Sequence, residues 1–282
     1  MNTSLSVATY NIEYSRRPQL LIKTIIQMIQ NGVNVFCFQE VLRLPENEFI
    51  VDVLLKELGK NWKLEYFVGE EGNYLDVGVG ILWDESILKL QKIEKINLPK
   101  MKKYPLLDRL VLRSTGYIDT PLQNRAIVGT FSLNGHSLRI TSLRLDTVGG
   151  TKNRIKQAKY ILDFIKDKPK VEYEIICGDF NTIDLFKTGK EVQAMRGLFD
   201  MYSFTDATKD IVWSADIYNS DFGEKPGLVK KVIKHLNVHV RRKLDYIWSK
   251  NLQVINAQKI DSTASDHYPI VTNFAPVKNP QL

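Results

Sequence analysis

The chain has 282 residues, 44% hydrophobic and 25% charged, a globular composition with enough apolar side chains for a substantial core. Its longest apolar stretches, such as Val77 to Trp83 and Val33 to Phe38, fall far short of the roughly 18–20 residues that cross a bilayer, so no membrane span is expected. The net charge of +7 favours polyanionic partners, and the excess is concentrated in two clusters, Lys95 to Arg113 and Lys230 to Lys243.

Ser6 to Asn11 reads as a first strand, and no basic, apolar leader precedes it. Pro18 to Asn31 carries Leu21, Ile22, Ile25, Ile26, Met28 and Ile29 at helical spacing, with Gly32 as a stop. Val33 to Phe38 is a buried strand that delivers Gln39 and Glu40 to its end, and Asn47 to Leu58 is again helical. Strands follow at Leu64 to Val68, Val77 to Trp83, Asn124 to Leu133 and His136 to Leu145, the last two joined by Asn134-Gly135, which suits a type I′ hairpin turn. Thr151 is placed to cap a helix running to about Lys166. A strand at Tyr173 to Cys177 leads into Gly178-Asp179-Phe180-Asn181, and strands at Leu244 to Trp248, Leu252 to Ala257 and Tyr268 to Phe274 complete the order.

Strands and helices mix without the strict alternation of a doubly wound parallel sheet. An α/β sandwich is therefore expected, two packed sheets with helices outside, as a single domain over residues 1–282. No Pro/Gly/Ser-rich linker or internal repeat divides the chain. Cys37 and Cys177 each lie inside an apolar strand and read as buried, reduced thiols of a cytoplasmic protein.

Polar groups recur where apolar strands run out: Asn11, Glu40, Asp179 with Asn181, Asp245, and Asp266 with His267. One such place is an ordinary turn or cap. Five, all of types suited to a metal and a phosphate, point to phosphoester hydrolysis, whose transition state needs a cation, a group that positions water, and donors for the non-bridging oxygens. His235 and His239, four apart, lack a third ligand nearby and read as exposed helix residues. Trp213 and Tyr218 fall in an irregular stretch that could form a substrate-side loop, and Tyr104 in a basic segment.

The ordered set Thr9-Tyr10-Asn11-Ile12, Gln39-Glu40, Gly78-Val79-Gly80-Ile81-Leu82, Asn124-Arg125-Ala126, Arg154 with Gln157, Gly178-Asp179-Phe180-Asn181, Leu244-Asp245-Tyr246-Ile247 and Ser265-Asp266-His267 resembles the endonuclease/exonuclease/phosphatase superfamily over nearly the whole chain. The resemblance implies the four-layer α/β/β/α sandwich of the DNase I-like fold, with two mainly antiparallel sheets. It implies Glu40 as the principal carboxylate on Mg²⁺ (or Mn²⁺), with Asp266 helping at that metal or a second one, and Asn11 supporting the metal or touching the phosphate. Asp179 would activate water, Asn181 would donate to a non-bridging oxygen, and His267 would face the phosphate with Asp245 holding its ring.

One position departs from the pattern. Where such proteins place a phosphate-contacting histidine at the end of a Thr-x-His-Leu-type strand, this chain has Arg144, which can bind phosphate bidentately but cannot exchange a proton near neutral pH. The expected activity is a metal-dependent phosphodiester hydrolase, a nuclease acting as a monomer on DNA or RNA, with the basic run beside Asp245 meeting the backbone. A phosphatase or phosphodiesterase of a small or lipid-like molecule is the alternative, and a catalytically silent binding module is a further one. No protein partner is evident.

Overall fold

The computed structural model describes residues 3–41, 50–69, 78–106, 109, 121–182, 189–216, 218 and 239–277. Two six-stranded sheets form the centre. In the first, β1 (Thr3–Asn11), β2 (Val35–Val41), β3 (Trp62–Phe67), β4 (Gly78–Asp84), β13 (Val254–Lys259) and β14 (Ile270–Val277) lie in the order β13-β14-β1-β2-β4-β3. The second has β5 (Leu88–Asn97), β6 (Arg125–Leu133), β7 (His136–Arg144), β8 (Tyr173–Asp179), β9 (Thr205–Asp206) and β12 (Asp245–Lys250) in the order β5-β6-β7-β8-β12-β9. Each sheet is antiparallel apart from one parallel pair, β1 with β2 and β7 with β8. Helices α1 (Pro18–Gln30) and α2 (Ile50–Leu58) lie on the first sheet, and α3 (Gly150–Lys166) and α4 (Lys190–Met201) on the second. A two-residue pair, β10 (Ala215–Asp216) with β11 (Arg241–Arg242), stands apart from both sheets.

The alternation of side chains along β2 shows how the layers form. Val35 and Cys37 enter the core between the sheets with Val7, Ile81, Ile140, Cys177 and Ile247. Phe36 and Phe38 point the other way, to Leu21, Ile25, Met28 and Leu54 of the helices. On the second sheet Val128, Ile176 and Trp248 face Ala158, Ile161, Leu162, Met195 and Phe199. Both cysteines are free and buried in the inter-sheet core, as expected. Among the described residues no helix is long and apolar enough to cross a membrane.

Several local expectations are revised. Thr151 does not cap α3: the N-cap is Gly149 at φ +92°, the helix begins at Gly150, and Thr151 already lies inside the first turn. β5 and α4 were not marked by sequence pattern. Residues Asn47 and Val77, at the edges of two predicted elements, lie outside the described set, as do Arg113, Lys230, Lys231, Lys234 and His235 of the basic and histidine readings. Tyr104 is buried and donates to Asp146 at 2.9 Å.

A buried ion pair ties α3 to the second sheet. Arg139, opposite Glu174 in the β7–β8 register, donates to its carboxylate at 2.6 Å and to the Pro169 carbonyl at 2.6 Å. Removing Arg139 leaves Glu174 with only Lys250, 3.5 Å away and partly exposed, so Arg139→Met is expected to cost roughly 3 kcal/mol, read as a lower midpoint in urea unfolding at unchanged slope.

Candidate active site

The strand registers gather the chemical groups. Arg144 pairs with Asp179 across β7 and β8, and Asp179 pairs with Asp245 across β8 and β12, so three ionisable side chains stand in one row at one end of the second sheet. From the facing sheet Asn11 pairs with Gln39 at the ends of β1 and β2. Beneath them Thr9 donates to Gln39, Gln39 to Ser142, and Ser142 to the Phe38 carbonyl, a buried polar bridge joining the two sheets.

Glu40 reaches the site through a bulge. The β2–β4 register shifts between Gln39 and Val41, and Glu40 takes a left-handed backbone at φ +57°. The extra residue turns the carboxylate away from the alternation of its strand, as bulges do beside functional sites. Asn181 is also left-handed, at φ +48°, which brings its amide back onto Asp179.

Gly178-Asp179-Phe180-Asn181 can be explained residue by residue. A Cβ at Gly178 would lie 2.0 Å from the Leu143 carbonyl oxygen. Phe180 is fully buried against Phe199 and Tyr246, ring centroids 5.6 and 5.4 Å away, and anchors the turn. Asp179 Oδ1 accepts from the Asn181 backbone at 2.9 Å, and Oδ2 accepts from Asn11 Nδ2 and Asn181 Nδ2, each at 3.0 Å. Asn181 Nδ2 also donates to the Leu145 carbonyl at 2.9 Å. Both amides therefore hold the carboxylate in place.

His267 Nδ1 lies 2.7 Å from Asp245 Oδ2, which also accepts from Ser214 Oγ at 2.7 Å. Ser214 in turn receives the backbone N–H groups of Leu244 and Asp245. Ser265 fixes the other side, donating to the Asn11 carbonyl and accepting from the His267 backbone. Burial opposes protonation of His267, but Asp245, by charge and hydrogen bond, with Asp179 and Asp266, holds its pKa well above the usual imidazole range. Burial, reinforced by Asp245 and Glu40 against the opposing pull of His267 and Arg144, pushes the Asp179 carboxyl up to about 6. Asp266, whose backbone N–H bonds Glu13, is pushed to about 6 by the same surroundings.

Arg144 is more deeply engaged than a free phosphate ligand would be. Its Nε and one terminal nitrogen both donate to Glu40 Oε1, at 3.1 and 2.9 Å. That terminal nitrogen also donates to Thr147 Oγ1, the other terminal nitrogen donates to Asn124 Oδ1, and Nε stands 4.0 Å from Asp179 Oδ2. Arg154 and Gln157 support the loop that follows: Arg154 binds Glu191 and the Asp146 and Thr147 carbonyls, and Gln157 accepts from the Asp146 backbone.

Four carboxylates, Glu40, Asp179, Asp245 and Asp266, thus share this region with two cationic groups, Arg144 and His267. Asp245 Oδ1 is buried without a hydrogen-bond partner among the described residues. Donor atoms of Asp179, Asp245 and His267 lie within 4.8 Å of one another. A surplus of hard oxygen donors over fixed cations fits a divalent cation such as Mg²⁺.

Ser214, Thr147 and Glu13 carried no signal in the sequence, because they lie outside the strands and long helices, where no periodicity marks them. His239, read as a bare helix residue, sits beside Asp216, its Nδ1 2.6 Å from the carboxylate, and its ring packs on Tyr218. Trp213 packs on Tyr268, with Arg241 and Lys259 over its ring. In the basic run Arg241 and Arg242 reach solvent, but Lys243 turns inward to Asp206 and the Thr208 carbonyl.

No family model matches the sequence, and no curated protein matches it. Solved structures match nearly end to end. A D. rerio TDP2 complexed with a single-strand DNA product is 18% identical at a TM-score of 0.68, covering 96% of this chain and 99% of the other. An endonuclease/exonuclease/phosphatase family protein from Bacteroides thetaiotaomicron is 16% identical at 0.68, covering 99% and 100%. A mannosyl-6-phosphatase from the same bacterium is 17% identical at 0.67, covering 96% and 100%. The chain therefore has the DNase I-like fold of the endonuclease/exonuclease/phosphatase proteins, an α/β sandwich of two sheets with helices outside.

Proposed function

We propose that this protein is a divalent-metal-dependent phosphodiester hydrolase that cleaves nucleic acid. The observation that carries the reading is the row Arg144–Asp179–Asp245 with His267, a buried base candidate beside an oriented imidazolium, their donor atoms within 4.8 Å of one another. A carboxyl with a pKa of about 6 is well placed to take a proton from water near neutrality, and Asn11 and Asn181 fix which oxygens it presents. His267, kept protonated by Asp245, offers positive charge and a donor to a phosphate oxygen or to the departing oxygen. A metal bound by Glu40 and Asp266 would neutralise charge on the phosphoryl group.

The nucleic-acid reading is supported by the net charge of +7 and by solvent-facing Arg241 and Arg242, close in sequence to Asp245. A TDP2 of the same fold is seen with a single-strand DNA product. A small phosphorylated substrate is the competing reading, since the mannosyl-6-phosphatase shares the fold.

A matched panel separates them: single- and double-stranded DNA, RNA, an aryl phosphodiester and a sugar phosphate, each with Mg²⁺, Mn²⁺ or EDTA. Nucleic-acid cleavage is expected to fall at least about 100-fold on chelation and to return with added metal. Turnover confined to the sugar phosphate would replace the nuclease reading with a phosphatase, and undiminished cleavage in EDTA would remove the metal.

A further inference from the structure

Arg144 is the one fixed cation in the row of acids, and its hydrogen bonds show what it does there. A guanidinium has five N–H donors, and two of those on Arg144 converge on a single oxygen, Glu40 Oε1. Two more are taken by Asn124 and Thr147, which hold the plane of the group. The same guanidinium stands 4.0 Å from Asp179 Oδ2, so it fills the space between two carboxylates from facing sheets. Charge held between two carboxylates at such distances is what a bound divalent ion would otherwise supply.

We propose that Arg144 is the resident counter-ion of Glu40, supplying the charge that a second divalent ion would otherwise supply there, so that this chain binds a single metal. The inference rests on the metal reading above and goes beyond it to stoichiometry. Arg144 acts here through Glu40 and is a positioning residue.

Glu40 Oε1 already accepts two charge-assisted hydrogen bonds, so an entering ion meets both a repelling charge and a partly used ligand. Removing the guanidinium frees that oxygen and leaves Glu40 without the cation that neutralises it. A buried Glu40 carboxylate without its cation has a higher affinity for an added divalent ion. Lysine keeps the charge but lacks the fork.

The test is Mn²⁺ binding to the metal-stripped full chain, followed by calorimetry and by the electron paramagnetic resonance signal of free Mn²⁺. Wild type and Arg144→Lys are expected to bind one ion. Arg144→Gln is expected to bind a second, or to bind the first at least about tenfold more tightly. Arg144→Met removes the charge at every pH while filling more of the space, and it decides the matter should the glutamine variant not fold. Wild-type stoichiometry and affinity in a folded uncharged variant, or two ions in the wild type, would overturn the proposal. The metal reading itself has a separate signature of failure: no Mn²⁺ binding to any of these proteins, with Glu40→Gln indistinguishable from wild type.

Discussion

Replacing Asp179 with Asn or His267 with Ala is expected to lower phosphodiester turnover by roughly 10²–10⁴-fold, the range of general acid–base catalysis. The two losses arise differently. Asparagine at position 179 cannot take a proton from water. It also turns an amide NH₂ toward either the two side-chain donors on Oδ2 or the Asn181 backbone N–H on Oδ1. A mismatch of that kind in a buried site costs about 1–3 kcal/mol, so Asp179→Asn should melt at a lower temperature as well as react slowly. Alanine at position 267 removes the cation and leaves Asp245 with Ser214 alone on Oδ2. Rates compared at equal folded concentration, with a thermal melt of each variant, separate chemistry from stability. Wild-type rates in both folded variants would refute the assignment.

The second large effect is structural and falls one residue earlier. Gly178→Ala is expected to cost more than about 4 kcal/mol, or to prevent folding, because the added methyl would sit 2.0 Å from Leu143 O and 2.9 Å from Leu143 C. Leu143 is the register partner of Gly178 in the parallel β7–β8 pair, so relief of the clash must move the strand ends that carry Arg144 and Asp179. Gly197→Ala in α4 is the matching control. Nothing lies within 4 Å of that added methyl, and alanine is the better helix former by roughly 1 kcal/mol. Chemical denaturation of the two variants should show changes of opposite sign, and a Gly178→Ala protein as stable as wild type would contradict the register described for β7 and β8.

Much of the fold was legible because the layers need different sides of each strand. Val35, Phe36, Cys37 and Phe38 form a continuous apolar run, the mark of a strand covered on both faces, and β2 is covered by the opposite sheet and by α1 and α2. β5 was hidden for the converse reason: its run Leu88 to Asn97 is half exposed, carries three lysines, and shifts register between Leu90 and Lys92, which breaks the two-residue period. α4 was hidden by its polar residues and by Gly197 in its interior, although Met195, Leu198 and Phe199 bury one side.

The site was legible as a set of residue types at strand ends, because strand ends are where a sandwich exposes backbone turns to a cleft. Its wiring was not. That Asn11 and Asn181 both grip Asp179 depends on the distance between two sheets, which no local pattern encodes. The commitment of Arg144 to Glu40 depends on the bulge that turns Glu40 out of its strand, and a one-residue register shift leaves no trace in hydrophobic alternation. Lys243 shows the same limit, since Arg241 two residues earlier is exposed while Lys243 turns to Asp206.

The most direct test of the central claim is the initial rate of phosphodiester cleavage with Mg²⁺ or Mn²⁺, wild type beside Asp179→Asn, on single-stranded DNA at equal folded concentration. The site geometry predicts cleavage by the wild type, abolished by EDTA, and at least about 100-fold slower in the variant. Cleavage that persists unchanged in the folded variant would contradict it.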